Sequence, residues 1–530
     1  MNLEAWSLFS LLEPDFVKNL RMVCVFGNSG NEAHLVTQSD DVYALGSNAA
    51  SCLGLGDVSS TLTPKKVKHL CQKRVKSFAY GTGPHVLACT ESGEIYSWGH
   101  NGYCQLGNAT TNQGVVPALI PGCLKDKKVV EIACGSHHSM CLTDTGEIYT
   151  WGQNTCAQIG SGTTNNQSSP RKVSSLFGGR KVVSIACGQI SSIALLDTGE
   201  VYGWGYNGNG QLGSGNNINQ LSPCLVIALN TVVISKVVCG YAHTLALSDE
   251  GYLFGWGANS YGQLGSGNKA NSCSPTRVAV EIGRVVDIAA SHYNNISAAL
   301  TQDAKVYMWG QCHSQTVPTP ILTPFQSLHE VFARFGCPGV TFAPMYTMIH
   351  SGNSLMNALK LAFDDATTSD FTFVVQGRDI HVHKALLKIR CEHFRSMFQS
   401  HWKEDKDTSL EIEQFSYPVY RAFLEYLYTD ELNLGTEEAV ELLDLANAYC
   451  EPQLKKRCEG LIQMGINIDN VCMLYATALK FDAQELESFC FRFSLNHMTA
   501  VTQSESFDQL DERVLKDFIL KAAQYGAFKT

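Results

Sequence analysis

The sequence predicts a two-part protein, with an all-β propeller in the first two thirds and an α+β domain with a helical extension in the last third. Three observations carry this prediction. A Trp-Gly pair recurs at a nearly constant interval, glycine is abundant at 45 of 530 residues without a collagen period, and helical periodicity replaces the repeat near residue 350. A chain of this length also needs more than one hydrophobic core.

The strongest repeated feature is an aromatic residue, one spacer residue and then Trp-Gly. Its glycine stands at positions 99, 152, 205, 257 and 310, and a weaker copy, Tyr-Ala-Leu-Gly, ends at Gly46. The interval is 53 residues at every step except one of 52, which is too regular for chance. The predicted structural anchors of the repeats are Trp98, Gly99, Trp151, Gly152, Trp204, Gly205, Trp256, Gly257, Trp309 and Gly310.

Each repeat contains the material of four short strands. An apolar run that ends in Gly, such as 129–135, is followed by a second run, such as 244–247, and by a tight turn, such as Asp-Thr-Gly at 144–146. After the Trp-Gly anchor come an Asn, a Gln-Leu-Gly element such as 105–107, and a Pro that opens the next strand. Four-stranded units at an interval of about fifty residues are typical of propeller blades.

This pattern resembles the regulator of chromosome condensation repeat over residues 21–345. The shared features are Cys-Gly, His-Ser or His-Thr, Tyr-x-Trp-Gly and Gln-Leu-Gly. The resemblance implies seven blades, closed by pairing of the N- and C-terminal strands in one blade. Residues 21–46, five complete units and tail strands predicted near 317–322, 331–335 and 340–346 fit six or seven blades, and we favour seven with a shortened closing blade.

One column of repeated histidines looks like a site, but we interpret it as structural. His85, His138 and His243 each stand fourteen residues before an anchor glycine. Equivalent positions on successive blades are spread around a ring, so the three side chains cannot gather on one metal ion. We predict instead a repeated side-chain-to-backbone bond that braces each blade.

The sequence contains no signature of catalysis or of a cofactor. Its 20 cysteines include no Cys-x-x-Cys pair, and it has no Gly-x-Ser-x-Gly elbow, Walker loop or His-Glu-x-x-His motif. Residues 208–213 match Gly-x-Gly-x-x-Gly but open no helix and keep the phase of the repeat, which argues against a dinucleotide site. We therefore predict a non-enzymatic protein without catalytic, cofactor-binding or metal-binding residues.

Net charge and targeting signals limit which cellular compartment and which classes of partner the sequence predicts. The formal net charge is −10, whereas nucleic-acid binding normally needs a concentrated basic face. No basic leader and no apolar run long enough for a membrane span occurs. We expect a cytoplasmic or nuclear protein with reduced thiols, without a membrane span, and with proteins rather than nucleic acid as direct partners.

The last third resembles a BTB/POZ domain over residues 356–462, after a linker at 346–355. A hairpin at 370–383 precedes a series of amphipathic helices, and residues 463–530 resemble a shortened BACK-type helical extension. Residues 1–20 form a separate N-terminal segment. The residues that carry the BTB resemblance, all interpreted as structural, are Asp370, His383, Lys384, Leu387, Phe394, Met397 and Tyr426.

The BTB resemblance implies homodimerisation and, in many members of the family, binding to cullin-3. Cullin-binding members carry a hydrophobic-x-Glu element between the helix that ends in Met-Phe and the next strand. Trp402-Lys403-Glu404 occupies that place, which makes Trp402 and Glu404 the candidate cullin contacts. An exposed Trp suits an interface anchor, and the alternative is a Trp folded back on its own domain.

The combination of a propeller and a BTB domain in one chain predicts an adaptor, namely a substrate receptor of a cullin-3 ubiquitin ligase. The propeller would bind the substrate, and the BTB domain would dimerise and bind cullin. Two alternatives remain open. Analogy with the founding propeller of the repeat family implies a guanine nucleotide exchange factor for a small GTPase, and a chromatin-linked cell-cycle regulator is the second alternative, although no basic arm precedes the first repeat.

Overall fold

Two compact units make up the chain, residues 1–349 and 350–530. The first is built from the repeats, and the second is largely helical. The structure, a computed structural model, describes residues 3–173, 177, 180–346, 355–398, 408–432 and 434–524.

Six antiparallel sheets form the first unit, and we number them 1 to 6 along the chain. Each contains the four consecutive strands predicted from the repeat, which confirms the propeller-like blades. The strands, sheet by sheet, are Leu20–Phe26, Glu32–Thr37, Val42–Gly46 and Thr61–Lys66; Val75–Gly81, His85–Thr90, Ile95–Gly99 and Gly114–Leu119; Val129–Cys134, His138–Thr143, Ile148–Gly152 and Gln167–Lys172; Val182–Cys187, Ser191–Leu196, Val201–Gly205 and Gln220–Leu225; Ile234–Cys239, His243–Ser248, Leu253–Gly257 and Ser272–Arg277; Val285–Ala290, Ile296–Thr301, Val306–Cys312 and Gln315–Leu322.

The anchor glycine marks a shift in strand register in each sheet. Gly152 has a φ of 102°, and a Cβ atom there would lie 2.5 Å from the carbonyl oxygen of His137, so only glycine fits. The pairing register of the third and fourth strands shifts at the same place, between Thr150 and Gly152. The repeated glycine therefore reflects a backbone requirement of every blade.

The tail of the first unit differs from the prediction. The strand expected near 317–322 is present as Gln315–Leu322, but residues 331–335 lie in a helix, Leu328–Phe335. Of 340–346, only Met345–Tyr346 is a strand. The described part of the first unit contains six sheets and no seventh, whereas seven blades were favoured from the sequence.

The apolar spacing of the tail explains this difference. Leu328, Val331 and Phe332 are spaced three and four residues apart, which places them on one helix face, and all three are buried. They pack in one cluster with Ile296 and Met308 of sheet 6. A helix thus covers the face of sheet 6 that a further blade would otherwise cover.

The N-terminal segment covers sheet 1 in the same manner. Two 3₁₀ helices, Leu3–Ala5 and Ser7–Phe9, and the helix Pro14–Lys18 precede the first strand. Their apolar side chains form one cluster with sheet 1, and this cluster also contacts the tail helix. The indole Nε1 of Trp6 donates to the carbonyl oxygen of Gly339 at 3.2 Å, which ties the two ends of the unit together.

The final strand of the unit closes it on sheet 1. Met345–Tyr346 pairs antiparallel with the first strand, with Val23 opposite Met345 and Met22 opposite Tyr346. Pairing of N- and C-terminal strands in one sheet is the closure that the family resemblance implied.

The second unit combines a three-stranded sheet with helices, as predicted. Phe371–Val375 is its central strand, antiparallel to Arg378–Val382 and parallel to Ser409–Ile412. One apolar core extends from Phe363 to Ala522, so the C-terminal helices share the core of the domain before them. None of the described helices is long and apolar enough to cross a bilayer. The helices are Leu355–Ala362, Lys384–Arg390, Glu392–Met397, Tyr417–Thr429, Thr436–Ala448, Pro452–Gln463, Val471–Lys480, Gln484–Asn496, Met498–Val501, Glu505–Asp508 and Glu512–Gln524, and two 3₁₀ helices of the first unit are Ile227–Leu229 and Val280–Ile282.

The helical closure predicts that truncating its central side chain destabilises the first unit. Phe332→Ala removes a fully buried ring between the tail helix and sheet 6, which should cost about 3 to 5 kcal/mol of unfolding free energy. Denaturant unfolding of the full chain measures this, with the exposed Arg334→Ala on the same helix as the control. Equal stability of Phe332→Ala and Arg334→Ala would contradict the closure.

Candidate functional site

The glutamine of each Gln-Leu-Gly element offers its backbone carbonyl to two side chains of the next sheet. The carbonyl oxygen of Gln158 accepts from Trp204 Nε1 at 3.0 Å and from Ser192 Oγ at 2.7 Å. Because every anchor Trp is fully buried, these rings join neighbouring blades and do not face a ligand. The equivalent carbonyls of Gln105, Gln211 and Gln263 accept from Trp151 and Ser139, from Trp256 and Thr244, and from Trp309 and Ser297.

The repeated histidines extend this bridge to a second side chain. His138 Nε2 lies 3.1 Å from Ser192 Oγ in the next sheet. The same contact joins His85 to Ser139 at 3.0 Å and His243 to Ser297 at 2.8 Å. The sequence predicted a side-chain-to-backbone bond that braces each blade. His85 makes one, between Nδ1 and the carbonyl oxygen of Gly83 at 2.8 Å, but the contact common to all three histidines joins two side chains of neighbouring blades. The difference arises because the serine of the following sheet stands directly opposite the imidazole.

Burial keeps these imidazoles neutral. Desolvation lowers the pKa of His85, His138 and His243 to about 3, far below the usual value near 6.5. At His138 and His243 the serine hydroxyl donates to the glutamine carbonyl, so its oxygen must accept from the imidazole, which assigns the Nε2–H tautomer to these two histidines. His85 differs, because its Nδ1 lies 2.8 Å from the carbonyl oxygen of Gly83, which can only accept, and its ring proton is therefore on Nδ1.

A central cavity of about 400 Å³ lies between the first strands of sheets 2 to 6. Its charged residues have partners, because Lys236 Nζ lies 2.5 Å from Asp287 Oδ1, and Ser184 Oγ donates to Glu131 at 3.2 Å. Burial raises the pKa of Glu131 to about 7. Across the described residues, no group of three or more His, Cys, Asp or Glu side chains could hold a metal ion.

The loops between third and fourth strands are held rigid by amide side chains. Asn207 Oδ1 accepts the backbone N–H of Leu212 at 3.0 Å, and its Nδ2 donates to the carbonyl oxygen of Asn216 at 2.8 Å. Gln211 Oε1 accepts the N–H of Asn209 at 3.0 Å. Sequence reasoning noted the Asn and Gln of each repeat without assigning this role, although their constant spacing after Trp-Gly was the available signal.

Three of the predicted BTB residues, Asp370, His383 and Lys384, meet at the start of a helix. Asp370 Oδ1 accepts the backbone N–H of Lys384 at 2.7 Å. The hydroxyl oxygen of Tyr428 accepts the N–H of His383 at 2.7 Å and lies 2.9 Å from its Nδ1. Sequence reasoning gave the Tyr428 hydroxyl no role, because a tyrosine on an apolar helix face does not reveal its polar partner.

The remaining BTB residues belong to the core of the second unit. Leu387 and Phe394 are fully buried, and Met397 packs against the same cluster. Tyr426 is also buried, with the guanidinium carbon of Arg457 5.4 Å from its ring centroid. These side chains are thus part of the apolar core of the second unit or packed against it.

The candidate cullin contacts, Trp402 and Glu404, lie outside the described residues. Their flanks are described. Phe398, the last described residue before them, is buried in the core, and Ser409–Ile412 pairs with the central strand of the sheet.

Comparison with known proteins agrees with this architecture. A family model described as an RCC1-like domain matches residues 41–320, and one described as a BTB/POZ domain matches residues 359–466. The chain belongs to the RCC1-like domain family. It also carries a BTB/POZ domain, so both resemblances drawn from the sequence are confirmed. RCC1-like and BTB domains are typically non-catalytic, and their combination supports an adaptor or interaction role.

Individual relatives of this RCC1-like protein match only part of it. The Ultraviolet-B receptor UVR8 of Arabidopsis thaliana is 34% identical over 272 residues, which cover 51% of this chain and 61% of UVR8. The E3 ubiquitin-protein ligase HERC2 of Homo sapiens is 34% identical over 304 residues, 56% of this chain and 6% of HERC2. The crystal structure of human WBSCR16 superposes with a TM-score of 0.50 and 25% identity over 56% of this chain and 82% of that chain.

The bridge between blades predicts a specific loss of stability on removing one hydroxyl. Ser192→Ala leaves the buried Nε2–H of His138 without an acceptor and removes one donor from the carbonyl of Gln158, which should cost about 1 to 3 kcal/mol. The control is Ser260→Ala at an exposed position. Chemical denaturation of the full chain compares the two, and equal midpoints would refute the bridge.

Neutral buried histidines also predict an acid-sensitive first unit. Between about pH 6.5 and pH 3 the unfolded histidines bind protons that the folded ones do not, so stability should fall as the pH falls. Glu131, whose pKa is raised in the folded protein, has the opposite effect on stability, because its contribution grows as the pH falls from about 7 to about 4.5. The difference between wild type and His85→Gln/His138→Gln isolates the histidines.

Thermal unfolding at pH 7, 6, 5 and 4 measures that difference. The melting temperature of the double variant should fall less steeply on acidification than that of the wild type. Parallel profiles would show that these imidazoles do not take up protons on unfolding.

Proposed function

We propose that the protein is a substrate receptor of a cullin-3 ubiquitin ligase, in which the propeller binds the substrate and the BTB domain dimerises and binds cullin-3. The observation that carries the proposal is the presence of an RCC1-like propeller and a BTB/POZ domain in one chain. An adaptor needs two binding modules and no reaction centre. The proposal requires the protein in the cytoplasm, the nucleus or both.

Rigidity of the propeller supports a scaffolding role. The carbonyl of each repeated glutamine, such as Gln158, links one blade to the next through a buried Trp and a hydroxyl. The loops at the blade ends are fixed by amide side chains such as Asn207. A surface built on such supports loses little conformational entropy when a partner binds, which favours specific recognition.

Exposed apolar side chains of the BTB domain support dimerisation. Leu361 and Ile389 are 81% and 74% exposed, on the helices Leu355–Ala362 and Lys384–Arg390. Both helices pack on Tyr417–Thr429. Large apolar side chains exposed at this level gain free energy when a second surface covers them. A homodimer of BTB domains would supply that surface.

The segment with Trp402 and Glu404 supports the cullin contact by its position in the chain. It joins a helix and a strand that are both anchored in the BTB core, Glu392–Met397 and Ser409–Ile412. HERC2, which shares sequence with this chain, is itself an E3 ubiquitin-protein ligase. The same pathway is therefore a reasonable first place to test this adaptor.

Co-purification with cullin-3 tests the proposal. The full-length wild type should retain cullin-3, and Trp402→Ala/Glu404→Ala should reduce retention about tenfold or more, because an aromatic anchor and its charged neighbour carry much of such an interface. Glu413→Ala, at an exposed position after the next strand, is the matched control and should bind as wild type does.

Two outcomes would count against the proposal. If the wild type fails to retain cullin-3, the ligase function is wrong. If the double variant retains as much cullin-3 as Glu413→Ala does, the contact lies elsewhere on the domain.

A further inference from the structure

The two ends of the six sheets differ in charge. The loops that join first to second and third to fourth strands lie at one end, which we call the neutral end, because consecutive antiparallel strands return to the same side. Among these loops only Asp57 and Lys269 carry a charge. The neutral end consists of residues 27–31, 47–60, 82–84, 100–113, 135–137, 153–166, 188–190, 206–219, 240–242, 258–271, 291–295 and 313–314.

The opposite end, which we call the charged end, is formed by the turns between second and third strands and by the links between sheets. Every one of the six turns contains an Asp, Glu or Lys. Several of these charges form ion pairs, such as Lys127 and Lys172 with Glu147 at 2.7 and 2.6 Å. The contrast is therefore a property of the two ends and does not follow from the composition of the unit as a whole.

The hydrogen bonds that the loops need explain only part of the lack of charged residues at the neutral end. The repeated Asn and Gln are needed to hold the loops, as at Asn207 and Gln211. Exposed positions next to them, such as 111, 164 and 165, carry Thr, Thr and Asn, where a charged side chain would be tolerated. The absence of charge at such positions points to a surface that is covered by something uncharged.

Three partly exposed tyrosines lie on hydrogen-bonded backbone at the neutral end. Tyr103, Tyr241 and Tyr261 are 38%, 43% and 39% exposed. Gln105 Oε1 and Gln263 Oε1 each accept a tyrosine backbone N–H, that of Tyr103 and that of Tyr261, at 2.9 Å. The backbone of Tyr241 bonds to the loops of both neighbouring sheets, at 3.1 and 3.2 Å. Tyrosines on a fixed backbone among Ser, Asn and Gly resemble the composition of antibody paratopes, which give large contact areas at low entropic cost.

We infer that the neutral end is the substrate-binding surface and that its partner is a protein presenting an uncharged surface with apolar side chains. The inference rests on the proposed function, in which the propeller binds a protein substrate. A charged group buried against this end would lose its hydration without gaining a counter-charge, which is unfavourable. Nucleic acids and anionic membranes are poor partners for the same reason, because Lys269 is the only formally charged cation on these loops.

Photo-crosslinking in cells tests the inference on the full chain. The photo-crosslinking amino acid benzoylphenylalanine replaces the tyrosine at position 241, 261 or 252, one at a time. Tyr252 is the matched control, because it is 38% exposed, belongs to the same sheet 5 and lies at the charged end. Positions 241 and 261 should crosslink to one and the same protein, identified by mass spectrometry, and position 252 should not.

Binding of that identified protein, purified, to the full chain gives a second measurement. Tyr241→Ala/Tyr261→Ala should weaken binding about tenfold or more, and Tyr252→Ala less than about twofold. For the wild type, the dissociation constant should change less than about threefold between about 50 and 500 mM salt, because no charge steers the contact. Unchanged thermal unfolding of the variants verifies that the propeller remains folded.

Four results would overturn the inference. They are crosslinks to the partner from position 252 instead of 241 and 261, no crosslink from 241 and 261, a second copy of this chain as the crosslinked protein, and a salt dependence of tenfold or more. Cullin-3 in the same samples is scored separately. If cullin-3 does not co-purify but positions 241 and 261 still crosslink to the partner, only the ligase function is refuted. If cullin-3 co-purifies but the crosslinks come from position 252 instead, only the assignment of the binding surface to the neutral end is refuted.

Discussion

The backbone carbonyl of the glutamine in each Gln-Leu-Gly element is the constraint on which the propeller depends. It accepts an indole N–H and a hydroxyl from the next blade, and at Gln158 and Gln263 that hydroxyl in turn accepts from a histidine of the blade before it. One buried acceptor thus sets the distance and the orientation between two sheets. Because buried donors and acceptors are costly to leave unpaired, a blade cannot turn away from its neighbour without losing several bonds together.

Closure of the unit uses different chemistry from the contacts between blades. The tail helix covers sheet 6, the N-terminal segment covers sheet 1, and the two meet through apolar contacts and the bond from Trp6 to Gly339. These parts lie outside the repeat, so they can vary without disturbing the bridge between blades. The repeated part then presents its loops on a rigid support, which suits a surface for binding another protein.

Sequence reasoning reached the parts of the fold that repeat and missed those that occur once. The constant interval of Trp-Gly anchors predicted four strands per unit, because each unit must bury the same ring. The tail was assigned a strand at 331–335 since short apolar runs do not distinguish strand from helix, and Leu328, Val331 and Phe332 form a helix face instead. The bond from histidine to serine was missed because its two partners lie in different repeats, 54 residues apart.

If the proposed function is correct, substrate and ligase bind this chain at the same time. Mass photometry of the full chain mixed with cullin-3 and with the protein crosslinked at positions 241 and 261 tests it most directly. We expect one assembly that contains two copies of this chain, two of cullin-3 and two of the partner. Mutually exclusive binding, in which adding the partner releases cullin-3, would contradict it.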